Sequence, residues 1–204
     1  MNFVLAFECI FDRRTDVKKR IGLLLVILPV VLITIASVIT KDQSSAFSQI
    51  SSACDSFGVA KSQVERKAPS FCLKTLDGNQ VVLNDLKGKH ILLKFWATWC
   101  PSCLEELPMM EKFSEGRKDQ LVILMAAIDG EKEKKVRRHI KKRKITLPVL
   151  LDCKAKTARA YGISFIPISF LINREGLIVG TVVGERDWGS PKAWSAVKEL
   201  FNLR

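Results

Sequence analysis

Six residues, Ile91-Leu92-Leu93-Lys94-Phe95-Trp96, make a nearly continuous apolar run, and Cys100-Pro101-Ser102-Cys103 follows shortly after it. An apolar run of this length without alternation is the pattern of a strand covered on both faces. A C-x-x-C that leaves such a strand and opens a helix is a redox arrangement. Cys100 would stand at the helix N-terminus, where unpaired N–H groups and the helix dipole favour a thiolate. Cys103 would lie one turn further in, within reach of a mixed disulfide formed by Cys100. Pro101 suits the first helical turn, where a missing N–H costs nothing. The competing reading is half of a zinc site, which needs two further ligands. The chain offers only His90 and His139, in a strand entry and a charged helix, while Cys54, Cys72 and Cys153 are isolated. No metal and no cofactor is expected.

The remaining elements fit around that strand. Short extended stretches are predicted at 70–75 and 80–83, joined by the turn Asp77-Gly78-Asn79. A second buried strand is predicted at 121–128, a charged helix at 131–144, a short strand at 148–151 and a short helix at 154–161. Strands at 168–172 and 177–183 flank the turn Asn173-Arg174-Glu175-Gly176. A last helix is expected from Ser190, as N-cap, and Pro191 to about Asn202. Strand–helix alternation gives parallel neighbours and the final hairpin must be antiparallel. The expected fold class is therefore α/β: a mixed central sheet with helices on both faces.

Upstream of this domain, residues 21–40 (IGLLLVILPVVLITIASVIT) contain no charge. Twenty helical residues span about 30 Å, the hydrocarbon thickness of a bilayer. Pro29 is tolerated in a membrane helix. Arg13, Arg14, Lys18, Lys19 and Arg20 precede the run and only Lys41 follows it closely. That asymmetry predicts a cytoplasmic N-terminus and an exported C-terminal part. A cleaved signal peptide has a shorter apolar core, about 7–15 residues, and a small-residue cleavage site. The organisation expected is a cytoplasmic segment at 1–20, a transmembrane anchor (or uncleaved signal) at 21–40, a linker at 41–67 and a folded domain at 68–204. The linker is rich in Ser, Lys and Gln and is read as a tether with one helical turn.

Several motifs of the domain resemble one family. Ala68-Pro69-Ser70-Phe71, with Leu73 and Asp77-Gly78, resembles the opening A-P-x-F-x-L-x-x-x-D-G of the TlpA/ResA-like, membrane-anchored branch of thioredoxin-fold thiol–disulfide oxidoreductases. Residues 95–103 (FWATWCPSC) resemble its F-W-A-T-W-C-x-x-C core, and Glu106 and Pro108 its continuation. Tyr161-Gly162-Ile163, Ile166-Pro167, Phe170-Leu171-Ile172-Asn173 and Gly176 resemble its Y-G-V…P-x-x-F-L-I-D…G. The resemblance implies a thioredoxin-like fold with Cys100 as attacking and Cys103 as resolving cysteine. It implies a cis-proline at Pro167, which would leave the backbone of Ile166 free to pair with a substrate chain. Trp99, Pro101, Ile166 and Pro167 would then form the substrate-binding surface. Glu106 matches a family carboxylate that moves protons; the plainer alternative is a solvated helix glutamate. If Glu106 only handles protons, Glu106→Gln should alter pH dependence and barely move the melting temperature.

Two departures stand out. Thioredoxin proper has a buried aspartate where this chain has Lys94, which must snorkel, pair or shift its pKa. It would pair with Glu106, act on a nearby cysteine, or reach solvent past the sheet edge. Around Pro167 the sequence is Ser164-Phe165-Ile166-Pro167-Ile168-Ser169, an apolar rim unlike that of cytochrome c maturation members, which weakens that assignment.

Residues 131–144 carry nine Lys or Arg and two Glu, with Val136 and Ile140 as the apolar stripe. That charge fits a solvated face, an acidic protein partner or anionic headgroups. No nucleic-acid recognition motif accompanies it. Three further cysteines in the exported part suggest one disulfide and one free thiol, with no pairing assignable. The function expected is a membrane-tethered extracytoplasmic thiol–disulfide oxidoreductase, single-pass in a bacterial inner (cytoplasmic) membrane with its domain on the periplasmic side. It would reduce or exchange disulfides in exported proteins and draw electrons from a membrane-bound or soluble donor. The alternatives are a copper- or haem-delivery module using the same cysteines, which lacks the accompanying histidine, and a peroxiredoxin-type peroxidase, which lacks the P-x-x-x-T-x-x-C site.

Overall fold

Residues 52–203 are described by the structure, a computed structural model. The predicted membrane segment lies outside them; among the described residues no helix is long and apolar enough to cross a membrane.

One sheet of eight strands organises the domain. The strands are β1 (Val59–Lys67), β2 (Cys72–Thr75), β3 (Gln80–Val82), β4 (Ile91–Trp96), β5 (Val122–Ala127), β6 (Val149–Leu151), β7 (Ile168–Ile172) and β8 (Leu177–Val183), in spatial order β1-β8-β7-β4-β5-β6-β2-β3. β4 runs parallel to β5, and β5 to β6, while β7 and β8 are antiparallel. Every residue of β4 is buried. Its alternate side chains feed two cores, as a strand period of two requires. Leu92 and Trp96 face α2 (Pro101–Ser114), α3 (Glu133–Lys142) and α5 (Pro191–Phe201). Ile91, Leu93 and Phe95 face α4 (Lys156–Ala160), where Tyr161 packs on Phe95 and Phe170. The mixed sheet with helices on both faces is the arrangement expected.

The charged helix enters through a 3-10 turn, Gly130–Lys132, and buries Val136 against the α2 side. A side chain on Gly130 would meet the backbone of Leu151 and Asp152 at 2.7 Å, so glycine there lets the β5–α3 turn lie against the end of β6. Ser190 caps α5 by position only: its hydroxyl donates to the carbonyl of Asp187.

The start of the domain differs from expectation. The compact unit begins at Ser52, not Ala68. Ala53–Phe57 forms a helix, α1, that packs on α5, and β1 pairs with β8 as an edge strand. Of β1 only Val59 is buried, so its sequence, VAKSQVERK, carries none of the alternation that marks a half-buried strand. The expected disulfide among the remaining cysteines is absent as well: Cys54, Cys72 and Cys153 are free. Cys54 is enclosed by α5, its thiol donating to the Ala196 carbonyl, and burial pushes the thiol up to about 11.

Glu199 on α5 ties α1 down. Its carboxylate accepts from the N–H groups of Ala53 and Cys54 and from the Lys61 ammonium, whose hydrogen bond contributes most to holding it down at about 2. A carboxylate lowered by folding stabilises above its unfolded value of 4.5, and that contribution fades as pH falls from there toward about 2. Hydrogen exchange should therefore show Ala53 and Cys54 losing protection through that window while β4 keeps its own. In Glu199→Gln the same two amides should be less protected already at pH 7, with little further acid dependence.

Candidate active site

α2 begins where β4 ends, and this junction builds the site. After Trp96 the chain turns through Ala97-Thr98-Trp99, with the Cys100 N–H donating to the Ala97 carbonyl. Asp129, buried in the next βα turn, accepts from both the N–H and the hydroxyl of Thr98. The Ile128 N–H donates to the Trp96 carbonyl, so the turns after β4 and β5 are fixed to one another.

Cys100 is the N-cap of α2, and Pro101 occupies its first turn. Cys100 and Cys103 form a disulfide with Cα atoms 5.3 Å apart. The Cys103 N–H points at Cys100 Sγ at 3.2 Å, and Ser102 Oγ lies 3.6 Å from the same sulfur. These dipoles present positive charge to Cys100 Sγ, the setting that favours a thiolate once the disulfide opens. Cys100 is 5% exposed and Cys103 0%, so any partner meets Cys100 first. Ile166, joined to Pro167 by a cis peptide bond, packs against the cluster that holds both cysteines. Trp99 and Phe165, at 60% and 55% exposure, are large apolar side chains left open to solvent beside Cys100 and on the proline loop.

Beneath the disulfide lies a buried ion pair. Glu106, one turn along α2 from Cys103, is 0% exposed, and Lys94 of β4 is 1% exposed. Lys94 Nζ stands 2.6 Å from Glu106 Oε2. Glu106 Oε1 accepts from the Arg186 N–H and from Trp188 Nε1–H, both at 3.0 Å. Lys94 also lies over the Trp188 ring, 5.9 Å from its centre. Burial pushes the Lys94 ammonium below the usual lysine range, and Glu106 pulls it back up. The readings of Glu106 as a solvated glutamate and of Lys94 as an ammonium reaching solvent are both overturned: both side chains are buried, Lys94 on a strand covered on both faces and Glu106 on the inward side of α2.

Cys100, Cys103, Trp99, Pro101 and Glu106 thus meet at one helix start, with Ile166 and Pro167 on the adjoining loop. Sequence reasoning missed Asp129, Arg186 and Trp188. The available signal for Trp188 was a lone tryptophan in the polar stretch Glu185-Arg186-Asp187-Trp188-Gly189. Among the described residues, no group of three or more His, Cys, Asp or Glu is placed to hold a metal ion.

The burial changes what Glu106→Gln should do. Removing one partner of a buried pair leaves the other charge uncompensated, at a cost of about 3–5 kcal/mol. Urea unfolding should show Glu106→Gln destabilised on that scale, in place of a nearly unchanged melting temperature. Lys94→Met/Glu106→Gln, which removes both charges, should recover much of the loss.

Comparison with known proteins agrees with this architecture. The AhpC/TSA family matches residues 64–181. The thiol-disulfide oxidoreductase ResA of Bacillus cereus is 35% identical over 126 residues, covering 62% of this chain and 73% of that protein. The sporulation thiol-disulfide oxidoreductase A of Bacillus subtilis is 34% identical over 140 residues, covering 65% and 84%. The crystal structure of StoA from Bacillus subtilis superposes with a TM-score of 0.55 at 31% identity, covering 63% of this chain and 97% of that one. The chain belongs to the AhpC/TSA family and, within it, is a thioredoxin-fold thiol–disulfide oxidoreductase of the ResA type.

Proposed function

We propose that this oxidoreductase is tethered to a membrane by residues 21–40 and works outside the cytoplasm, reducing or exchanging disulfides in exported proteins through Cys100 and Cys103. The observation that carries the chemistry is the disulfide across the start of α2, with Cys100 slightly exposed and Cys103 fully enclosed. In the reductive direction, the Cys100 thiolate attacks one sulfur of a substrate disulfide. A mixed disulfide forms and the first substrate thiolate leaves. Cys103, deprotonated with the help of Glu106, then attacks Cys100 Sγ. The second substrate thiolate leaves and the Cys100–Cys103 disulfide remains, so two electrons have passed to the substrate. A membrane-bound or soluble donor must return them.

Substrate recognition falls to Trp99, Pro101, Ile166 and Pro167. The free backbone of Ile166 would pair with an extended substrate segment. The apolar side chains of Trp99 and Phe165 favour hydrophobic residues beside the substrate cysteine. The domain organisation proposed is a cytoplasmic segment at 1–20, the anchor at 21–40 and the catalytic domain beyond, its compact unit starting at Ser52.

Cys100→Ser should abolish reduction of insulin disulfides. Cys103→Ser should leave Cys100 joined to its substrate, and mass spectrometry of the trapped species identifies the partner. Full activity in Cys100→Ser would end this reading. Topology is tested separately: a reporter active only outside the cytoplasm should work after Arg204 and fail before Ile21. The opposite pattern would reverse the orientation.

A further inference from the structure

We propose that Lys94 is a positioning residue for the exchange reaction: its buried ammonium is the counter-charge of the Glu106 carboxylate that takes the Cys103 proton, and then balances the Cys103 thiolate. The inference rests on Cys100 and Cys103 being the reacting pair.

The geometry around the carboxylate leads to it. Lys94 Nζ, the Arg186 N–H and Trp188 Nε1–H converge on Glu106. All three are donors, and a carboxylate in its ionised form is an acceptor only. Such a charge is tolerated at full burial only beside a charge of opposite sign. Lys94 is that charge. The groups facing the pair from neighbouring elements do not replace it. In the sheet, Lys94 is flanked by Met125 of β5 and Ser169 of β7, both uncharged. From the loop after β8, Glu185 adds a second negative influence, while the Arg186 guanidinium is turned away to the carbonyls of Phe57 and Glu185. From α2 come Cys103 and Glu106 themselves, three residues apart and so on one helix face.

This arrangement makes proton transfer inexpensive. In the mixed-disulfide state the pocket holds the Lys94 ammonium, the Glu106 carboxylate and the Cys103 thiol. The proton passes from Cys103 Sγ to Glu106. The pocket then holds the ammonium, a neutral carboxylic acid and a thiolate. Its net charge is zero before and after, so no uncompensated charge is buried at any stage. The thiolate then attacks Cys100 Sγ, the Cys100–substrate bond breaks, and the substrate thiolate leaves; Glu106 later passes its proton to solvent. Without Lys94, the carboxylate at this depth would be a buried charge with no counter-charge, and so would the thiolate that follows it.

The test uses the full chain in detergent, with all cysteines other than Cys100 and Cys103 replaced by serine or alanine. Cys100 is loaded as a mixed disulfide with nitrothiobenzoate, and release of the coloured thiol reports attack by Cys103. Lys94→Met should slow release at pH 7 by about a hundredfold, the scale of general-base catalysis, and move the pH–rate curve upward. Lys94→Arg, which keeps the charge, should return most of the rate. Lys94→Met/Glu106→Gln should fold and remain slow, so the test survives if Lys94→Met alone does not fold. A wild-type rate and pH profile in folded Lys94→Met, or in the double variant, overturns the role of Lys94. Cys100→Ser keeps the two readings apart. Full insulin reduction by that variant sinks the proposed function, whereas its inactivity beside an unaltered Lys94→Met profile sinks only the inference.

Discussion

The parallel pairing of β4 with β5 is the constraint on which the rest depends. Six residue pairs, from Ile91–Val122 to Trp96–Ala127, bring the ends of both strands to the same edge of the sheet. The turn holding Thr98 and the turn holding Asp129 therefore lie side by side, and their hydrogen bonds fix where α2 starts. The position of Cys100 follows from that start, and the depths of Cys103 and Glu106 follow from the helical repeat. Because β4 is central, the side chain at position 94 is committed to the interior. The sequence places a lysine there, and the helix above supplies the carboxylate that meets it.

The centre of the fold was legible because its signals are strong and local. An unbroken apolar run, a proline in a first helical turn and turns closed at Gly78 and Gly176 each have a single physical reading. The cysteine pair was legible for the same reason, since its spacing and its place after a strand need no tertiary information. What could not be read was determined by long-range contacts. β1 is exposed along nearly all of its length, so its pairing with β8 leaves no trace in its composition. Arg186 and Trp188 reach Glu106 across eighty and eighty-two positions of sequence. Lys94 could be read only as three alternatives; the structure selects pairing with Glu106.

At position 94 a lysine puts a positive charge into the interior of the sheet. A fold that buries one ionisable group under its cysteines must find a counter-charge, and here the two members come from β4 and α2, each fixed by separate packing. The pair is costly to separate and cheap to retain, since desolvation has already been met in forming the fold. Its substitutions should therefore couple strongly rather than add.

The segment leading into the sheet has a mechanical side. Phe57, the last residue of α1, packs edge-on against Trp188 with ring centres 5.0 Å apart, and its carbonyl accepts from Arg186 Nε. Arg186 and Trp188 are the two residues that donate to Glu106 Oε1, the oxygen that Lys94 does not hold. Residues 52–57 thus form a strut whose inner end, Phe57, bears on the two residues that hold the buried carboxylate. Trimming the protein at Ala68 would remove that strut and uncover the edge of β8, where unpaired backbone groups invite other chains. A soluble fragment cut there would report the chemistry of a loosened site.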